Sequence, residues 1–182
     1  MELNSEDLTN SLWLEFSDSG DRYLTLDNDA LELQPYSNNY LQLASLKNET
    51  LLDIAHLPIP VDDYYIPIDY KSTVSGNAAL SVSNYNLPSN ISLYLEDTHT
   101  NSIHLLDEDF VYNFELRNNV SPQKINPTNL IQSNLHAKAT DANRFRILVS
   151  TSKNVSTEND DQVYQFNLDQ NYPNPFNPKT NI

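Results

Sequence analysis

The densest grouping of chemistry-bearing side chains lies early in the chain, where Asp18, Asp21, Asp27, Asp29 and Glu32 fall in one short stretch. Carboxylate oxygens gathered in this way suit calcium, a hard cation that takes about six to eight oxygen ligands. The stretch lacks the D-x-[DN]-x-[DN]-G loop with its distal glutamate, so a plain acidic surface is the competing account. A second acidic trio, Asp107, Glu108 and Asp109, reads as a solvated turn. Further along, Tyr64 and Tyr65 follow directly on Asp62 and Asp63. Aromatic rings stack on sugar faces and carboxylates accept sugar hydroxyls, which makes these four residues a candidate glycan contact. Tyrosine is equally a good strand residue whose hydroxyl stays wet, and that reading competes.

The four histidines, His56, His99, His104 and His136, sit on separate segments without H-x-x-x-H or H-E-x-x-H spacing, a poor basis for a metal site. A Ser-His-Asp triad needs no closeness in sequence, so the many serines and aspartates say little about one, and no G-x-S-x-G elbow is present. Gly20 and Gly76 are the only glycines, which excludes phosphate-binding loops and dinucleotide fingerprints. Cysteine is absent, removing disulfides, thiolate metal ligands and cysteine nucleophiles. No catalytic residue is assigned, and the expectation is a module that is not an enzyme and needs no cofactor beyond the calcium just weighed.

The elements that must position these residues are strands. Short alternating runs recur at 11–16, 22–26, 30–34, 40–46, 51–59, 64–72, 78–85, 90–97, 102–107, 110–116 and 144–150, divided by Asn, Asp and Pro. Ile91, Leu93 and Leu95, then Phe145, Ile147 and Val149, give the clearest period of two, one face inward and one outward. Such spacing predicts an all-β, antiparallel, jelly-roll-like β-sandwich over residues 11–150. Runs 90–97 and 102–107 form the expected hairpin. Pro67 places its strand at an edge or a bulge, because proline donates no ladder hydrogen bond. Trp13, the only tryptophan, is expected in the core near the N-terminal edge. Residues 1–10 read as an N-terminal extension, 117–142 as a long polar connection and 151–163 as a linker.

The net charge of −15 and a pI near 4.3 argue against nucleic-acid phosphates and against anionic membranes. No apolar run reaches the length of about 18 residues that spans a bilayer. The first ten residues also lack the basic and apolar regions of a signal peptide.

At the end of the chain Leu168, Gln170, Asn171, Tyr172, Pro173, Asn174, Pro175, Phe176, Asn177, Pro178, Thr180 and Ile182 follow the pattern L-x-Q-N-Y-P-N-P-F-N-P-x-T-x-I. This segment resembles the opening of the type A C-terminal sorting domain of bacterial type IX (Por) secretion system cargo, a small β-sandwich related to the FlgD-like immunoglobulin fold. The resemblance covers only these last residues, but they are dense and distinctive. The prolines push the residues before them into extended conformations, so the segment reads as a stiff entry to a sandwich and not as a ladder strand. Residues 164–182 are then expected to be the truncated start of a second small β-sandwich whose remainder follows Ile182. A leader and further domains are expected upstream of Met1.

A weaker resemblance covers the module that often precedes that sorting domain, with a line of the type LYLEDTxTGxxHxL…YxF…RFxL. Leu93 to His104, Tyr112 to Phe114 and Arg144 to Leu148 follow it, with Asn101 at a position usually glycine. Asparagine also tolerates positive φ, so the departure is mild. Together these resemblances imply a secreted or outer-membrane cell-surface protein. Its partners would be the type IX secretion machinery and upstream domains of the same polypeptide. The competing function is an extracellular glycan-binding or calcium-dependent adhesion module.

Overall fold

The computed structural model describes residues 1–33, 35, 37–120 and 144–151. The sorting segment 164–182 with every motif residue, the linker beyond Thr151, His136 and most of the 117–142 connection lie outside them. Twelve strands and no helix occur among the described residues, so none of their helices is long and apolar enough to cross a membrane. They are β1 (Glu2–Ser5), β2 (Leu8–Ser11), β3 (Trp13–Ser17), β4 (Ala30–Leu31), β5 (Leu41–Lys47), β6 (Thr50–Pro58), β7 (Tyr64–Ser72), β8 (Gly76–Ser81), β9 (Ser92–Asp97), β10 (Ser102–Leu106), β11 (Val111–Leu116) and β12 (Phe145–Ser150).

They build two sheets packed as a sandwich, as the alternation predicts. The smaller is ordered β11-β8-β1-β2 and the larger β10-β9-β12-β7-β5-β6-β3, with β4 beside β6. All pairings are antiparallel except that of β3 with β6, which is parallel. Inward positions meet between the sheets: Leu3, Leu80, Phe114 and Leu116 from one, Leu43, Ile68, Leu95 and Ile147 from the other. Burying such side chains is the main favourable term available, about 1.5–3 kcal/mol each. The 90–97 and 102–107 runs pair as expected, Ser102 opposite Asp97 and Leu106 opposite Leu93. The turn between them carries Asn101 at φ 53°, the conformation for which glycine is the usual choice.

Four expectations are corrected. The first ten residues are no extension: β1 and β2 form a hairpin, β1 also pairs with β8, and Leu3 is 0% exposed. The stretch 22–26 alternates like a strand but is irregular, since side chains take its amides. Asp21 accepts from Tyr23 N–H at 2.9 Å, Asn48 from Leu24 N–H at 3.0 Å and Asp29 from Thr25 N–H at 2.8 Å. Strand β7 is interior, between β12 and β5, and Pro67 is tolerated because the ladder with β5 stops at Ile68. Trp13 is 55% exposed. Leu12, wholly buried, takes the inward position where the chain passes from the small sheet to the large one, and the next side chain then faces out.

Strand β5 departs from period two for a different reason. Residues 30–33 fold over its outer face, where Gln42 donates to Leu33 O and to Glu32 Oε1, both at 2.9 Å. Gln42 and Ala44 are therefore as buried as Leu41 and Leu43. Leu3→Ala is expected to cost about 2–5 kcal/mol in urea unfolding, the range for a cavity at a fully buried leucine. A residue in a loose N-terminal extension would show almost no change.

Candidate functional site

Four places in the sandwich gather chemistry. The first is a buried ion pair between the sheets. Asp97 ends β9, and Arg144 immediately precedes β12, so the antiparallel register of Phe145 opposite Asp97 brings the two together. Arg144 Nη2 lies 3.0 Å from Asp97 Oδ2, and Nε lies 3.3 Å from each oxygen. The opposite sheet closes on this pair from β11. Tyr112 donates its hydroxyl to Asp97 Oδ2 at 2.9 Å, and Arg144 Nη1 donates to Glu115 O at 3.4 Å. The His99 amide completes the Asp97 shell at 2.9 Å. The guanidinium stands 4.7 Å from the ring centres of both Phe114 and Phe145. Burial pushes the Asp97 carboxyl upward, yet Arg144, the His99 amide and Tyr112 outweigh it and hold it below the usual carboxylate range.

Every side chain of this cluster falls within the stretches Leu93 to His104, Tyr112 to Phe114 and Arg144 to Leu148, with Glu115 adding only its carbonyl. Its neighbours are ordered too: Thr100 reaches Ser102 at 2.8 Å, Ser102 reaches His104 Nε2 at 3.0 Å, and the His104 ring lies 4.9 Å from that of Tyr112. The line therefore encodes a clasp between sheets. With Arg144 and Asp97 almost wholly out of water and mutually satisfied, the cluster offers no open coordination or acid-base position.

The second place is the predicted calcium cluster, which the fold does not assemble. Asp29 turns inward and accepts from Lys47 Nζ at 2.9 and 3.1 Å, from His56 N–H at 2.8 Å and from Thr25 N–H at 2.8 Å. Those donors hold its carboxyl low against the upward push of burial. Glu32 is buried elsewhere, against Gln42, while Asp18, Asp21 and Asp27 stay on the surface. No three His, Asp or Glu side chains are grouped to hold a metal among the described residues. The Lys47 ammonium occupies the place where Asp29 would have met a cation. Beside it His56 Nε2 is hydrogen-bonded to Ser17 Oγ, a nucleophile–base arrangement in outline. Asp29, however, meets the His56 backbone amide and not the ring.

The third place is the tyrosine pair. Adjacent residues of a strand point to opposite faces, so Tyr64 and Tyr65 form no common platform. Tyr64 packs on the core, the Arg22 guanidinium lies 4.2 Å over its ring, and burial pushes its hydroxyl up to about 12. Arg22 is also bonded to Asp62 at 2.6 Å. Asp63 accepts from Ser150 Oγ and from the Thr151 amide and hydroxyl, closing the end of β12. Tyr65 is exposed, but Arg146 covers one ring face at 4.1 Å while binding Glu96 through both oxygens.

The fourth place was not visible as a site in the sequence. A cleft enclosing about 90 Å³ opens between β3 and the 82–87 loop. Its floor is the core itself, with Leu12, Leu93, Leu106 and Ile147, and its rim carries Trp13, Ser83, Asn84, Tyr85 and Asn86. Only the exposure of Trp13 distinguishes it, and exposure is a property of the folded chain. Comparison with protein-family models, with curated proteins and with solved structures finds no match to this chain.

Arg144→Met is expected to cost about 3–5 kcal/mol at neutral pH, because it strands a buried carboxylate. Arg144→Met combined with Asp97→Leu should recover much of that loss in a double-mutant cycle followed by urea unfolding. The stability that Asp97 lends is present above the ordinary aspartate value of 3.8 and disappears as pH falls through its lower folded value. Glu32 has the opposite sign. Burial, reinforced by Asp53 and opposed by Gln42 and Lys71, pushes its carboxyl up to about 7 from 4.5. Its contribution is complete below 4.5 and lost as pH rises through about 7. Glu32→Gln keeps an oxygen for Gln42 and should flatten that part of the profile, leaving the variant more stable than wild type at pH 8.

Proposed function

We propose that the chain is a non-catalytic β-sandwich module of a secreted or cell-surface bacterial protein, directed to export by a type IX sorting signal. The observation that carries this reading is the motif from Leu168 to Ile182, twelve matching residues in one short stretch. The upstream line adds support, since its residues are those that build the Asp97–Arg144 clasp. In this reading the sandwich is a spacer or accessory unit, and its chemistry is directed inward. Its ion pairs and aromatic contacts lock strands and sheets together. The sorting segment is the part that the secretion machinery recognises, before removal or replacement by a surface anchor.

Calcium-dependent adhesion has no such observation behind it, because Asp29 is already engaged by Lys47. Cell fractionation of the source bacterium, with antibody raised against residues 1–151, tests the export reading. The protein is expected outside the cell or on its surface in wild-type cells, and in the periplasm of cells lacking the type IX translocon. Tyr172→Ala with Phe176→Ala should reproduce the periplasmic retention. A protein found in the cytoplasm of both strains rules the reading out.

A further inference from the structure

We propose that the cleft beside Trp13 is a binding site for a neutral sugar ring, distinct from the tyrosine pair that the sequence suggested. Trp13 is the only tryptophan of the chain and is left 55% exposed at the rim of a cleft that reaches the core. An exposed indole offers a large rigid face with little entropy left to lose, which suits the apolar face of a pyranose. Across the opening Asn84 and Asn86 present amide groups, which donate and accept at once, and Ser83 Oγ, whose proton goes to Glu2, can accept. Sugar hydroxyls have the same dual character, so each can be matched twice.

The lining decides the charge of the ligand. Among the described residues it contains no charged side chain, in a chain whose net charge is −15. Met1 contributes an ammonium, but that group donates to Leu12 O at 2.8 Å and closes the hairpin. Beyond that ammonium and the Glu2 carboxylate held by Ser83, a charged ligand finds no counter-charge in the lining, whereas a neutral polyol needs none. The enclosed volume of about 90 Å³ takes one edge of a ring, and the remaining units of an oligosaccharide stay on the rim beside Trp13.

The site is also held in shape before any ligand arrives. The cleft lies where the chain crosses between sheets twice, at Leu12 and again through the loop from β8 to β9. Ser83 Oγ donates to Glu2 Oε1 at 2.9 Å, tying that loop to β1. Asn84 adopts φ 53°, a left-handed conformation that fixes the turn presenting the amides. Preorganised polar groups around an apolar floor are the usual composition of a small-molecule site.

Because Trp13 is the sole tryptophan, its fluorescence reports on the cleft alone. The full chain is titrated with neutral hexasaccharides of glucose, xylose and N-acetylglucosamine, with heparin as a charged comparison and 1-anilinonaphthalene-8-sulfonate as an apolar one. At least one neutral hexasaccharide is expected to give a saturable change with a Kd of about 1 mM or tighter. By calorimetry, Trp13→Ala should weaken that binding at least about 10-fold. Asn84→Gly, which keeps the positive φ but removes the amide, should weaken it about 3- to 10-fold, the range for one hydrogen bond. Tyr65→Ala should leave it unchanged, and each variant should keep its urea midpoint, Trp13 being on the surface. The proposal is overturned if no neutral hexasaccharide saturates, if only heparin or the apolar probe does, or if binding survives Trp13→Ala. None of these outcomes bears on export, which is read from fractionation.

Discussion

A carboxylate and a guanidinium that water scarcely reaches join the two sheets of this protein, and much else is arranged to make that burial tolerable. Removing two charges from water costs several kcal/mol each, and their mutual attraction offsets this only when the remaining donors and acceptors are also matched. Here they are matched from three directions. The Asp97 oxygens receive Arg144, the Tyr112 hydroxyl and the His99 amide, while Arg144 keeps a further donor for Glu115 O and lies against the adjoining rings of Phe114 and Phe145. The partners come from the turn after β9, from β11 and from the start of β12. The pair is satisfied only when β9, β11 and β12 all occupy their final positions, and so it favours one alignment of the sheets over its neighbours.

The acid of this chain is managed in two ways. Most of it stays on the surface, where a net charge of −15 keeps copies apart. Two of the carboxylates drawn inside become tethers, Asp97 between sheets and Asp29 between a turn and β6, while Asp63 ties the end of β12 from the surface. Backbone geometry shows a comparable economy in glycine. The β5–β6 hairpin closes on Asn48 and Glu49 at φ 48° and 63°, the paired left-handed residues of a two-residue turn that more often ends in glycine.

Much of the sheets was legible in the sequence because inward residues alternate, as along Phe145, Ile147 and Val149. The hairpin at Asn101 was legible for the same reason. What escaped was decided at a distance. Leu3 has no alternating run long enough to announce a strand, and its burial depends on β8, more than seventy residues further on. The run from Arg22 to Leu26 alternates well but loses its amides to Asp21, Asn48 and Asp29. Asp29 itself looks like its acidic neighbours until Lys47 is seen behind it. Trp13 was expected in the core, and the inward place belongs to Leu12. The sorting motif was read from resemblance, which no alternation or charge pattern would have supplied.

The place of β12 carries a consequence for how such a chain comes together in time. It is the last described strand in sequence but lies inside the larger sheet, between β9 and β7. Until residues 145–150 are available, that sheet exists as two pieces with open edges facing each other, and the partner that Asp97 requires has not arrived. A chain emerging from its N-terminus therefore cannot zip up progressively. It waits, with a gap the width of one strand, and closes in a late step that seats Phe145, Ile147 and Val149 together. Long-range closure of this kind is slow, and the open edges are exposed to other chains meanwhile. This strand thus acts as a timer, coupling the arrival of residues 145–150 to the joining of the two pieces of the larger sheet.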